Sequence, residues 1–143
     1  AYTITLLEIV EVVSTIAGGV YQISFYKNMS LRNNAILEII LFIMYVGNLL
    51  ILQNKFILVI LTIVIGYFAG ISNPKLDALI LQSVPEEKQT SIYSIFSTII
   101  TISVPIGTTV ILFFANAISA SFALYSLLIL LILVLVYSFK VKE

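Results

Sequence analysis

Long apolar runs separated by short polar stretches constrain this chain more than any other feature of its sequence. The runs cover residues 2–26, 35–52, 56–82, 92–114 and 122–139. Each is close to the ~20 residues with which a helix crosses the hydrocarbon core of a bilayer. No regular apolar/polar alternation persists through them, which argues against the strands of a membrane barrel. The sequence therefore predicts an all-α integral membrane protein with about five transmembrane helices.

Composition supports this class and excludes several kinds of chemistry. Hydrophobic residues make up 61% of the chain and charged residues 10%, whereas soluble domains carry about 25% charged residues. The net charge is zero and no basic cluster occurs, so nucleic acid is not an expected partner. The chain has no Cys and no His, which removes thiol nucleophiles, imidazole bases and almost every zinc site. We therefore expect no enzymatic activity, no cofactor and no metal.

Positive charges mark one side of the predicted membrane protein. Alternate loops and the C-terminal tail hold most of them, at Lys27, Arg32, Lys88, Lys140 and Lys142, while Lys55 lies alone on the other side. Basic residues concentrate in cytoplasmic loops. We therefore expect a multi-pass protein of the cell membrane with a cytoplasmic C-terminus.

The polar loop after the third run contains a helix-start pattern. Ser83 and Glu86 have the spacing of a capping box, in which the side chain of each residue accepts a hydrogen bond from the backbone amide of the other. Pro85 is tolerated at the start of a helix, and Glu86 and Glu87 suit a helix N-terminus. The pattern predicts a capped helix start in a cytoplasmic loop.

The third run also contains a predicted helix break. Pro74, preceded by Asn73, removes the donor that would pair with the carbonyl of Gly70, and this favours a bend. Gly66 and Gly70 form a small-xxx-small pair of the kind that lets membrane helices approach closely. We interpret this group as a structural break and packing surface.

Two carboxylates in the first run are the candidate transport residues. Glu8 and Glu11 share one face of the predicted helix within its outer half, where an unpaired carboxylate costs a few kcal/mol. Two interpretations remain open: they carry protons in a water-filled cavity, or they lie at the membrane interface. Glu38 lies near the cytoplasmic end of its run, where pairing with Arg32 would give it a role in topology.

The stretch from Gly66 to Val110 resembles the tenth and eleventh transmembrane helices of major facilitator superfamily transporters, in the macrolide-efflux-like branch. In that branch a helix with a Gly-x-x-Asn-Pro-like break is followed by Val-Pro-Glu-Glu and by a helix with Ser-Thr and Pro-x-Gly. The matching positions are Gly70, Asn73, Pro74, Ala78, Leu79, Gln82, Val84, Pro85, Glu86, Glu87, Ser97, Thr98, Pro105 and Gly107.

The resemblance implies that the five runs are helices eight to twelve, part of the C-terminal half of a twelve-helix carrier. It implies a proton-coupled exporter of drugs or small metabolites, in which Pro105 and Gly107 are further break and packing positions. The implied partners are the lipid bilayer, the N-terminal transporter helices and a small-molecule substrate. The chain departs from the family at the loop after the first run, which lacks the usual Asp, and at Gln89 and Thr90, which replace a basic step.

Two other classes of membrane protein remain as alternatives. A small non-transporting helical protein, such as an immunity factor or assembly subunit, would use its polar stripes only as interfaces. A permease subunit of an ATP-driven transporter would need a long cytoplasmic coupling helix, and the loops here are too short to supply one.

Overall fold

A computed structural model describes residues 2–140, whose regular structure is entirely helical. This confirms the all-α membrane fold predicted from the apolar runs. The helices in chain order are α1 (Tyr2–Val20), α2 (Ser24–Lys27), α3 (Leu31–Gly47), α4 (Lys55–Ser83), α5 (Glu86–Ala117) and α6 (Ala120–Lys140), and a π-helical segment (Asn48–Leu52) continues α3.

Four helical segments of the described residues have the length and apolar composition to cross a membrane. They are Leu31–Leu52, Lys55–Ser83, Glu86–Ala117 and Ala120–Lys140. Helix α1, with 19 residues, is close to the same length. The chain is therefore a multi-pass membrane protein.

The first predicted span is divided in the structure. Helix α1 ends at Val20, before the predicted boundary at residue 26, because Gly18 and Gly19 weaken the helix there. The chain then leaves helical geometry and forms the single turn α2. Helix α3 begins at Leu31, earlier than predicted, because the Ser30 side chain caps it by accepting a hydrogen bond from the Asn33 amide at 3.3 Å.

A two-residue turn joins the π-helical segment to α4. Gln53 has a left-handed backbone (φ 48°), and the Asn54 side chain caps α4 by accepting from the Phe56 and Ile57 amides. The buried Asn48 side chain donates to the Asn54 carbonyl at 3.1 Å and accepts from the Asn54 amide at 3.4 Å. The turn thus pairs its own polar groups, as a polar turn beside a membrane requires.

Helix α4 is the centre of the bundle. It packs against α1 on one side and against α3 on another, while α6 packs against α3 and α5. The buried positions of α4 lie in its first two thirds, at Leu61, Thr62, Ile65, Gly66, Gly70 and Ile71. Helix α5, in contrast, buries none of its residues within the described chain.

Candidate functional site

Glycines bring α1 and α4 into direct backbone contact. A β-carbon added at Gly66 would lie 2.8 Å from the Glu11 carbonyl oxygen. One added at Gly70 would collide with the Thr15 carbonyl oxygen, and one at Gly18 with that of Tyr67. Side chains longer than hydrogen are therefore excluded at these positions unless the helices separate. The contact fixes α1 beside α4 and so determines where the acidic side chains of α1 lie.

Glu8 and Glu11 line a common cavity between α1, α3 and α4. Its volume is about 310 Å³, and its other lining residues are Leu7, Phe42, Tyr45, Thr62 and Ile65. Both residues are exposed in this chain, and both line the cavity. The structure thus brings together two acidic residues of α1 and two hydroxyl-bearing residues, Tyr45 of α3 and Thr62 of α4.

The lining of the cavity is mainly apolar and includes a few polar groups. Thr62 is buried, and its hydroxyl donates to the Leu58 carbonyl at 2.9 Å, so its oxygen still has lone pairs to accept with. Phe42 and Ile65 supply apolar surface. A concave, mainly apolar site with few polar groups is typical of small-molecule sites.

Asn73 and Pro74 lie inside α4. The helix passes through Pro74 and continues to Ser83. Asn73 is exposed and lines a second cleft of about 340 Å³, together with Arg32, Asn34, Glu38 and Ser72. The predicted break position is therefore on the wall of a polar cleft. Asn73 lies in the C-terminal half of α4, whereas Thr62 lies in its N-terminal half.

A hydrogen-bonded cluster that the sequence did not indicate lies beside this second cleft. Glu38 Oε1 accepts from the Tyr26 hydroxyl and from the Ser72 hydroxyl, each at 2.6 Å, and the two hydroxyl oxygens are 2.9 Å apart. Tyr26 is 1% exposed and stacks on Phe68. Burial, followed by the hydrogen bond to Glu38, raises the pKa of the Tyr26 hydroxyl, so it remains the protonated donor. The cluster joins α2, α3 and α4.

Arg32 does not have the partner predicted for it. Its Nε donates to the Ser138 carbonyl and its Nη2 to the Phe139 carbonyl, both at 3.1 Å, at the C-terminal end of α6. Backbone carbonyls near the C-terminal end of a helix carry partial negative charge, which suits a guanidinium group. Arg32 therefore ties α3 to α6, and Glu38 pairs with hydroxyl groups instead.

The predicted capping box after α4 is not formed. Ser83 is still the last residue of α4, and its hydroxyl donates back to the Leu79 carbonyl at 2.7 Å. Pro85 is the N-cap of α5 without a side-chain cap, while Glu86 and Glu87 occupy the first turn. Gln89 instead crosses the loop, because its Nε2 donates to the carbonyls of Leu81 and Val84.

Pro105 and Gly107 lie on the exposed length of α5. The helix passes through Pro105, and a β-carbon at Gly107 would meet no atom of the described residues within 4 Å. Gly107 lines an apolar groove of about 370 Å³ between α5 and α6. The close packing expected at Gly107 is therefore absent from the described contacts of this chain.

Comparison with known proteins identifies one family. The sequence model of the Major Facilitator Superfamily matches residues 30–143, which is most of the chain and includes α3 to α6. The match begins after α1, so Glu8 and Glu11 lie outside it. No curated protein and no solved structure matches the chain significantly.

Proposed function

Because the chain belongs to the Major Facilitator Superfamily, whose members are transporters, we propose that it is part of a proton-coupled exporter of drugs or small metabolites. The family match favours this class over an immunity factor or an assembly subunit. The observation that carries the proton coupling is the cavity in which Glu8 and Glu11 meet Tyr45 and Thr62.

The physical basis of the proposal is the cost of a charge in the membrane. A carboxylate that faces water is stable when ionised, but the same carboxylate costs a few kcal/mol when the cavity closes onto hydrocarbon. A bound proton neutralises it and removes that cost. Opening the cavity to alternate sides of the membrane then lets Glu8 or Glu11 take a proton on one side and release it on the other.

Substrate would leave the cell as protons enter. Phe42 and Ile65 give the cavity apolar contact surface for the carbon skeleton of a small molecule, while Tyr45 and Thr62 supply hydroxyl groups that orient it. A volume of about 310 Å³ suits one small ligand or part of a larger one. Competition between substrate and proton for the same two carboxylates would couple their opposite movements.

Charge distribution supports an orientation for this cycle. With the C-terminus in the cytoplasm of the cell membrane, the Lys140 end of α6 and the loop before Glu86 lie on the inner side. The start of α1 then lies outside, which places Glu8 and Glu11 towards the outer half of the membrane. This position suits groups that load protons from the external medium.

Glu→Gln substitutions at positions 8 and 11 test the proposal. We expect either change in the intact carrier to reduce proton-driven efflux at least about tenfold, because an amide cannot carry the proton. Efflux of ethidium and of a macrolide would be measured in cells at several external pH values, with membrane insertion measured in parallel.

Glu86→Gln and Glu87→Gln are the matched controls, since both residues are exposed in the first turn of α5 and outside the cavity. Normal efflux with normal pH dependence in both cavity variants would refute the proton-carrying role and leave Glu8 and Glu11 as interfacial residues.

A further inference from the structure

The segment between α1 and α3, residues 21–30 and here called the linker, lies along one stretch of α4. The Tyr67 hydroxyl donates to the Tyr21 carbonyl near its start. The Lys75 ammonium donates to the Met29 carbonyl near its end. Between these points the Tyr26 ring stacks on Phe68 with centroids 4.3 Å apart and planes 12° from parallel.

The strongest attachment of the linker is the cluster of Tyr26, Glu38 and Ser72. Glu38 Oε1 accepts from both the Tyr26 and the Ser72 hydroxyl at 2.6 Å, the short end of the range for O–H···O hydrogen bonds. Since Tyr26 belongs to the linker, Glu38 to α3 and Ser72 to α4, this cluster joins the linker to both helices at once. Burial of the Tyr26 ring keeps water from competing for these bonds.

These attachments lie on both sides of Pro74. Tyr67, Phe68 and Ser72 precede the proline, and Lys75 follows it. A proline inside a helix removes one backbone hydrogen bond, so α4 changes its bend more easily at this position than elsewhere. A segment fixed before and after that position has to move whenever the bend changes.

One buried side chain beside the cluster is incompletely paired. Asn34 is 1% exposed and lines the same cleft as Glu38 and Ser72. Neither its Oδ1 nor its Nδ2 has a partner among the described residues. A buried amide without partners destabilises the conformation in which it is buried. The observed packing of α3 against α4 therefore carries a local cost at Asn34, beside the hydrogen bonds of the linker.

We propose that the linker is a strap that restrains bending of α4 at Pro74 and is held closed by the hydrogen bonds of Tyr26 with Glu38 and Ser72. Opening the strap accompanies the change in α4 between conformations of the carrier. The inference goes beyond proton coupling and does not depend on Glu8 or Glu11.

Hydrogen–deuterium exchange of the intact protein in detergent tests the attachment. The linker amides of Asn28 and Met29 are hydrogen-bonded within the linker, so their exchange reports its opening. We expect Tyr26→Phe, which keeps the stacked ring, and Ser72→Ala each to accelerate exchange in residues 24–30 about tenfold. Tyr137→Phe is the matched control, because Tyr137 is exposed on α6. Equal exchange in Tyr26→Phe and Tyr137→Phe would overturn the proposal.

A second measurement tests the connection with Pro74. In the strap hypothesis, Tyr26→Phe changes the maximal transport rate of the carrier because α4 then bends more freely at Pro74, and Pro74→Ala restores the backbone donor and makes that bending harder. The effect of Tyr26→Phe on transport rate should therefore shrink at least about threefold in the Pro74→Ala background, as expected for coupled sites. Independent effects of the two substitutions would show that the linker does not act on Pro74.

Discussion

At the scale of single residues, glycine positions determine how this chain packs. Gly18, Gly66 and Gly70 each face a backbone carbonyl of the opposite helix, in the contact between α1 and α4. A carbonyl in a helix cannot rotate away as a flexible side chain can, so the contact tolerates no β-carbon without movement of the whole helix. Gly107, in contrast, faces open space.

Alanine substitution at two of these glycines should therefore have opposite effects. We expect Gly70→Ala to destabilise the folded protein by about 1–3 kcal/mol, because its methyl group meets the Thr15 carbonyl. Gly107→Ala should be neutral or stabilise by up to about 1 kcal/mol, since alanine favours the helix. Thermal unfolding of both purified variants in detergent measures the difference. A loss of stability at Gly107 equal to that at Gly70 would contradict the packing argument.

Only part of the candidate site could be predicted from the sequence. Glu8 and Glu11 are acidic residues within an apolar run, three positions apart. Helical spacing therefore predicts that they share one face of α1, as their common cavity requires. The cluster of Tyr26, Glu38 and Ser72 was not predictable, since 46 positions separate Tyr26 from Ser72 and no periodicity links them. Its only sequence signal is a carboxylate inside an apolar run, to which Arg32 was the nearest predicted partner.

At the scale of elements, helices were easier to predict than their ends. Apolar length indicated the long helices, because a bilayer requires about 20 apolar residues, but the first run is divided in the structure between α1 and the single turn α2. The ends depend on single side chains: Ser30 caps α3, Asn54 caps α4, and Ser83 bonds within α4 instead of capping α5. Such choices follow from local geometry that a four-residue pattern describes only in part.

Pro74 is the element-scale feature with a predicted effect on transport. Pro74→Ala restores a backbone donor to α4 and should stiffen it. We expect the maximal transport rate of the intact carrier to fall about threefold to tenfold, with substrate affinity changed less than about twofold, since Pro74 does not line the cavity of Glu8 and Glu11. Pro105→Ala in α5 is the comparison variant. A tenfold loss of affinity at full maximal rate would instead assign Pro74 to the substrate site.

At the largest scale, the helices form a bundle in which many large apolar side chains are exposed among the described residues. Helix α4 is enclosed by α1 and α3, whereas α5 contacts chiefly α6 and buries none of its own residues. The orientation expected from the positive charges, with the C-terminus in the cytoplasm, is a prediction at this scale.

Single introduced thiols test that orientation, because the chain has no native Cys. In intact cells, Asn28→Cys and Thr90→Cys should resist a membrane-impermeant thiol reagent, because both lie in loops predicted to be cytoplasmic. Asn54→Cys and Asn116→Cys should react. All four positions are labelled in permeabilised cells as a control for expression. The reverse labelling pattern would invert the topology and remove the assignment to helices eight to twelve.

The pairing of α1 with α4 also determines how long α1 lacks this partner during synthesis. Tyr67, which bonds the carbonyl of Tyr21, is made 46 positions later, and at 5–20 residues per second that interval is roughly 2–9 s. During it the glycine face of α1 lacks the helix that it contacts in the folded protein. The interval between synthesis of Arg32 and of Phe139, 107 positions later, is longer, roughly 5–21 s. The nascent chain thus holds α1 without α4 while α3 and about half of α4 are synthesised.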